Sequence, residues 1–397
     1  MYSLPVRRLK EILSHVVPGS TLGPVEEVKS PQLPRLYILN MSDDRRLLLS
    51  FAPSLAVRLL RHEATIMASE AILVSFLGES TRRPGTIGSP RNQTDARPRD
   101  TGFSGLVPKL LKHSSNNREM AYPYSIFEPT TGTPLSTLNP QLSIPDRCLI
   151  DKEVGHMARA LASLTSPTGT FGMVSRVIPD PFIAHSSTAP KPVGSKTWSE
   201  AFNTLLEAIL RDGEDMAVLL PYEGIRAHFQ RMSWRLDAIT SPRLVILDIN
   251  SETNVMVERV SHDIASKDST ESVRLTGLRN WSQGIFGDPL IANCFDDPSE
   301  GFLEGWREGG EEVIEDEENK EARLLLYRCY RAIVSIVTEY YRPKGDSSKR
   351  ELDGRRTLTS TLAGLDKMHN DIDEELKRVR SVSTDTGDPK RQKLDEE

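Results

Sequence analysis

Two short apolar runs, 36–39 and 47–51, flank the polar stretch Ser42-Asp43-Asp44 and predict a β-hairpin, because Ser and Asp side chains favour the turn between alternating strands. From Ser54, an N-cap residue after Pro53, apolar positions Leu55, Leu59, Leu60, Ile66, Met67 and Leu73 recur at helical spacing and predict a helix over 54–76. Glu63 and Glu70 fall on nearly the same face of it. Two further short strands are predicted at 106–111 and 124–128, the second running into Thr131-Gly132-Thr133-Pro134. Beyond Asp151 the period becomes mostly helical, with amphipathic segments at 198–210, 225–236 and 324–341. Strands dominate before and helices after, which predicts a small sheet-rich lobe and a larger helical lobe joined near 128–134.

Two stretches break the periodicity. Residues 78–104 gather Pro84, Gly85, Gly88, Pro90, Pro98 and Gly102 with several Arg, and read as a flexible insertion. The acidic, Gly-bearing stretch 300–318 reads as a solvated helix end and loop. A late stripe at Leu358, Leu362, Leu365, Met368, Ile372 and Leu376 predicts a terminal helix, with a disordered tail from Ser381. The organisation expected is an N-lobe over 1–135, a helical C-lobe over 136–342, and a terminal helix and tail over 343–397. Trp198, Trp234 and Trp281 are expected in the core.

With 397 residues there is ample chain for a large two-lobed core. The 50 Lys and Arg against 56 Asp and Glu leave a net charge of -6, which argues against a nucleic-acid-coating protein. Cys148, Cys294 and Cys329 are far apart, with neither metal-site nor disulfide spacing. No apolar run approaches the ~20 residues that span a bilayer, so no membrane partner is expected. The N-terminal apolar positions, interrupted by Arg7, Arg8, Lys10 and Glu11, read as an ordinary first helix rather than a transit peptide.

Chemistry concentrates between 243 and 290. The strand 243–247 leads to Asp248, a polar loop 249–253, Asn254, and a second strand over 255–257. A carboxylate and an amide presented between two short strands can place a base beside a hydroxyl and a ligand on a metal. Then come Asn280-Trp281 and Gly287-Asp288-Pro289. Asp288 before a proline is a helix cap. His262-Asp263 lies in a turn region with no nucleophile placed beside it.

With these pieces in order, the chain resembles the aminoglycoside phosphotransferase and choline kinase family, and looks closest to its fungal members. The resemblance rests on patches 36–77, 106–135, Phe171-Gly172, 198–222 and 243–290. It implies an α+β, two-lobed protein-kinase-like fold with a small sheet-rich N-lobe and a larger helical C-lobe. It also implies ATP and Mg2+ as cofactors, Asp248 as the catalytic carboxylate, Asn254 and Asn280 as the metal ligands, and Asp288 as a structural brace beneath the catalytic loop.

The chain departs from the family's pattern where charge matters most. Ile246 and Leu247 replace the His-Gly before the catalytic Asp, and the loop from Asp248 to Asn254 is one residue longer. Asn280 stands where the family has a metal-binding Asp, although magnesium is normally held through carboxylates. Leu47-Leu48-Leu49-Ser50 replaces Leu-Val-Leu-Lys, so Ser50 occupies the position of the phosphate-binding Lys. Glu70, or else Glu63, matches the helix Glu that pairs with that Lys, and Lys29, Arg58 and Arg61 are candidate substitute cations. The stretch 19–23 offers two glycines and only a weak nucleotide-covering loop. A unit charge ~4 Å from a phosphate oxygen is worth up to ~4 kcal/mol at an effective dielectric of about 20, on the order of a thousandfold in rate.

Two functional classes follow: a pseudokinase that binds a nucleotide, metabolite or protein, or an active ATP-dependent phosphotransferase acting on a small-molecule hydroxyl. Lys377-Arg378 and Lys390-Arg391-Gln392-Lys393 resemble a bipartite signal for a nuclear import receptor, leaving cytoplasm and nucleus as alternatives.

Overall fold

The computed structural model describes residues 4–80, 103, 105–115, 118–138, 142–182, 193–261 and 271–383. Helix α1 (Val6–Val16) buries Leu9, Ile12 and Leu13, and leads to strands β1 (Leu22–Val28), β2 (Arg35–Met41) and β3 (Arg46–Phe51). The predicted hairpin is β2–β3, in antiparallel register from Arg35 opposite Phe51 to Asn40 opposite Arg46. Its turn places Asp44 at φ 62°, a left-handed conformation that Asp tolerates, and Asp43 accepts a hydrogen bond from Arg45 Nε at 2.7 Å. Alternation sends Leu47, Leu49 and Phe51 into a cluster with α1, and turns Leu48 and Ser50 to the opposite face.

The helix predicted over 54–76 starts later. Leu55 is 73% exposed, residues 61–65 form a 3-10 turn, and α2 spans Ile66–Ser80. Tertiary anchors account for the difference. The Arg61 backbone N–H donates to Asp212 Oδ2 at 2.9 Å, and the Leu60 N–H donates to Glu63 Oε2 at 2.8 Å, so this segment is held by a distant helix before α2 begins.

Strand β4 (Lys109–Ser114) also starts later than its pattern suggests, because Pro108 has no N–H for the ladder. Strand β5 (Tyr124–Glu128) matches the predicted run. The five strands form one antiparallel sheet in the order β1-β2-β3-β5-β4. Of the expected insertion, 78–80 belong to α2 and Phe103 is buried in the main core, whereas 81–102 and 104 lie outside the described residues.

The chain then crosses through β6 (Thr133–Pro134) and α3 (Leu135–Leu138) into the second lobe. Gly132 holds φ +91°, and a Cβ there would lie 2.4 Å from the Val257 carbonyl, so the crossing needs a glycine. There follow α4 (Ile144–Ala162), β7 (Gly172–Met173), α5 (Val174–Val177), α6 (Trp198–Asp215) and α7 (Tyr222–Asp237). Next come β8 (Arg243–Ile246), β9 (Val255–Ser261), β10 (Glu271–Leu278) and β11 (Gly284–Gly287), then α8 (Glu300–Glu308), α9 (Lys320–Tyr341) and α10 (Ser347–Ser383). Small antiparallel sheets β10-β9-β6 and β7-β11-β8 carry the loops of interest. No helix among the described residues is long and apolar enough to cross a membrane.

Three expectations are corrected here. The first half of the acidic stretch is a packed helix, since α8 buries Phe302 and Trp306 against α4, and only 309–316 form the expected loop. Its helical glycines are contact points, because a Cβ on Gly305 would meet the Lys152 carbonyl and one on Gly301 the Cys148 carbonyl. Trp234 is 58% exposed, because α7 buries Ile225, Phe229, Met232 and Leu236 and position 234 falls on the other side. Helix α10 runs to Ser383, so Lys377 and Arg378 are helical, and its Leu358 and Leu365 pack into the core. His262-Asp263 and Lys390 to Lys393 lie outside the described residues.

Candidate functional site

Asp248 follows β8, whose Leu244, Val245 and Ile246 are core residues; Ile246, standing in the family's His position, is part of that packing. The loop is held on both sides of Asp248. The Leu247 N–H donates to the Gln283 carbonyl at 3.1 Å, the Asn293 N–H donates to the Leu247 carbonyl at 2.9 Å, and the Ser251 N–H donates to the Asp248 carbonyl at 3.0 Å. Asp248 is half-buried, its enclosed Oδ1 has no hydrogen-bond partner among the described residues, and burial pushes the carboxyl up to about 6. It lies between cavities of about 560 Å³ and about 220 Å³.

Asp248 and Asn280 share the smaller cavity, roofed by Pro31 to Pro34 of the β1–β2 connection. Asn254 is buried beside them, with Oδ1 accepting from the Asn280 N–H at 2.8 Å and Nδ2 donating to the Asn280 carbonyl at 3.1 Å. The Asn280 side-chain oxygen in turn accepts from the Ser282 N–H at 2.8 Å. These amides are committed to backbone, and of the two carboxylates on the smaller cavity, Asp248 and Glu63, the second is already taken by the Arg342 guanidinium. This donor set does not fit a magnesium ion, which calls for several oxygen ligands and usually more than one carboxylate.

Ser50 is 1% exposed and lies 3.8 Å from the Met67 sulfur. It shares the inner face of β3 with Leu48, but it lines neither cavity beside Asp248. Glu70 is buried one helical turn beyond Met67, accepts the Trp281 N–H at 3.2 Å, and is pushed up to about 7 by burial. Among the described residues no cation pairs with it. Glu63 does have one, but from the opposite lobe, with Arg342 making a bidentate pair at 2.6 and 2.7 Å. Arg61 is bound to Asp212 and to Asp215 at 2.8 Å, Arg58 donates to the Met216 sulfur, and Lys29 is exposed. None of the three lines the inter-lobe cavity.

That cavity, about 440 Å³, lies between the five-stranded sheet and β9–β10. Ile38, Leu48 and Phe127 wall it above, Met256 and Leu278 below, and the crossing strand at 129–132 at the back. Its polar lining includes Glu70 and two cations without an assigned role in the sequence, Arg46 and Arg279. The one signal for Arg279 was a charge directly after the apolar end of β10. Gly19 and Gly23 do not cover this cavity: Gly19 turns the chain out of α1 and Gly23 lies within β1, while the β1–β2 connection contains Pro31 and Pro34 and no glycine.

Asp288 is fully buried. It accepts from Arg323 Nη1 at 2.5 Å, from the Tyr327 hydroxyl at 2.7 Å and from the Leu290 N–H at 3.1 Å, and Tyr327 accepts from Trp198 Nε1 at 2.7 Å.

A small antiparallel sheet over a helical lobe, with a half-buried carboxylate on a strand-loop-strand unit at the junction, invites comparison with solved structures. A candidate fructosamine-3-kinase from Thermobifida fusca superposes with a TM-score of 0.53 at 15% identity, over 90% of this chain and 98% of that one. A candidate aminoglycoside phosphotransferase from Ralstonia eutropha gives 0.54 at 11%, over 92% and 99%. The GDP complex of an aminoglycoside 2'-phosphotransferase-IIIa variant gives 0.50 at 13%, over 90% and 97%. The chain has the kinase-like fold of these phosphotransferases. At such identities the likeness is one of architecture. No protein-family model and no curated protein matches the sequence.

Within that kinase-like fold, the apolar inter-lobe cavity and Asp248 stand on either side of the Asn254–Asn280 clasp. A half-buried carboxyl held near 6 is chemically suited to accept a proton at neutral pH.

Proposed function

We propose that this protein is a catalytically impaired, kinase-fold binding protein whose inter-lobe cavity takes a nucleotide. The observation that carries this reading is Ser50: the position that would present a cation to the phosphates holds a buried hydroxyl against Met67, leaving Glu70 without a counter-charge among the described residues. The committed amides of Asn254 and Asn280 support it further, since transfer from ATP depends on metal and cation contacts to the γ-phosphoryl group. The apolar walls suit a flat base, and a GDP-bound relative in fold makes a nucleotide the natural occupant.

One observation favours an active small-molecule phosphotransferase instead. Asp248 is half-buried, has an oxygen without a partner among the described residues, and opens on the 560 Å³ cavity where an acceptor hydroxyl would sit. A single assay separates the two. Magnesium-dependent ATP turnover by the purified protein is expected at background; brisk turnover abolished by Asp248→Asn would establish the enzyme.

Import through the C-terminal basic clusters is a separate proposal resting on the sequence. Ala at Lys390, Arg391 and Lys393 should move a large-tagged protein from nucleus to cytoplasm, and an unchanged distribution would exclude the signal.

A further inference from the structure

The inter-lobe cavity contains more positive charge than its own residues neutralise. Arg279 is half-buried at its floor, and among the described residues its guanidinium makes neither an ion pair nor a hydrogen bond. Burial alone acts on it, pulling its pKa down with no anion to hold it up. Arg46 reaches the same cavity from the upper side, two residues before Leu48 and therefore on the same face of β3. The acid among the lining residues, Glu70, is engaged by the Trp281 N–H and makes no pair with either arginine.

Taking a charged guanidinium partly out of water without a partner is unfavourable, so its retention points to a ligand that supplies the anion. A planar guanidinium meets phosphoryl oxygens through two parallel N–H bonds and holds its charge at every ordinary pH. The amides of Asn254 and Asn280, which would face a metal, are engaged with backbone, and Glu63 is held by Arg342. The β1–β2 connection offers little from above, since Pro31 and Pro34 have no N–H to donate.

Building on the cleft reading above, we propose that the phosphates of a nucleotide bound between the lobes are held by the guanidinium of Arg279, with Arg46 opposite, in place of a divalent cation, so that binding does not require magnesium. Free nucleotide, rather than its magnesium complex, is then the preferred form, because a bound metal would compete with the guanidinium for the same oxygens. Arg279 immediately precedes Asn280, so occupancy of the cavity would be felt directly at the Asn254–Asn280 clasp.

The test is calorimetric titration of the full chain with ATP and with adenosine, each in EDTA and in magnesium. ATP is expected to bind at least as tightly in EDTA as in magnesium, and more tightly than adenosine. Arg279→Met should weaken ATP by about tenfold or more, as for loss of charged hydrogen bonds, leave adenosine within about twofold, and leave the unliganded melting temperature unchanged or raised. Arg279→Lys, which keeps the charge and loses the fork, should recover part of the loss. ATP binding that disappears in EDTA, or that is indifferent to Arg279→Met, overturns the proposal. Adenosine binding with no advantage for ATP overturns it while leaving the cleft reading intact; binding of neither compound removes both.

Discussion

Asn254 and Asn280 clasp one another through side chain and backbone: the Asn254 amide accepts the N–H and donates to the carbonyl of Asn280, at 2.8 and 3.1 Å. This fixes the end of β10 against the start of β9, and uses up an amide that the family resemblance assigns to a metal. Asn254→Ala leaves two buried backbone groups unpaired and should destabilise the fold by about 2–4 kcal/mol, at ~1–2 kcal/mol for each unsatisfied group. Urea unfolding measures this, and an unchanged midpoint would mean that the amide is free for another role.

Glu70 should make stability depend on pH. Burial favours its protonated form, so the folded chain keeps a proton that the unfolded chain releases above its ordinary value of 4.5. The stability present below that value is lost as pH rises to about 7. Glu70→Gln keeps an acceptor for the Trp281 N–H without the charge. It should match the wild type near pH 4.5 and exceed it at pH 8 by on the order of 3 kcal/mol. A variant less stable than wild type at pH 8 would show that the carboxylate has a partner there.

Asp288 and Arg323 are a fully buried pair at 2.5 Å. Asp288→Asn strands the guanidinium and should cost about 3–5 kcal/mol, whereas Asp288→Asn together with Arg323→Met should recover much of that loss. Thermal unfolding of the two variants decides the matter; equal melting temperatures would mean that the two side chains act independently.

Gly305→Ala should force α8 from α4, because its Cβ would fall 2.0 Å from the Lys152 carbonyl. The expected loss exceeds ~2 kcal/mol, against the gain of up to ~1 kcal/mol that Ala brings to an exposed helix. Denaturant midpoints distinguish the two signs.

The architecture was legible where local pattern and tertiary environment agree. The β2–β3 hairpin has period-two alternation and a polar turn, and nothing distant competes with it. Residues 54–65 show helical spacing, yet Asp212, some 150 positions away, captures Arg61 and delays the helix. Gly301 and Gly305 looked like loop punctuation, because a glycine selected for close helix contact has the same letter as one selected for a turn. At the site, Asp248, Asn254, Asn280 and Asp288 could be picked out by spacing. The clasp could not, since hydrogen bonds to backbone leave no periodic trace. Arg279 was visible only as a cation after an apolar strand, a pattern that solvated strand ends share.

The Glu63–Arg342 pair and the Arg61–Asp212 contact add a mechanical consequence to their electrostatic one. A kinase-like molecule whose lobes meet only at a crossing strand can pivot about it like a book on its spine. Here the segment leading into α2 is also fastened at two places on the opposite cover, one to the end of α9 and one to α6. Swinging the covers apart about the crossing strand would have to break these ion pairs. Movement of side chains and of the β1–β2 connection at the rim of the inter-lobe cavity, by contrast, leaves both fastenings in place.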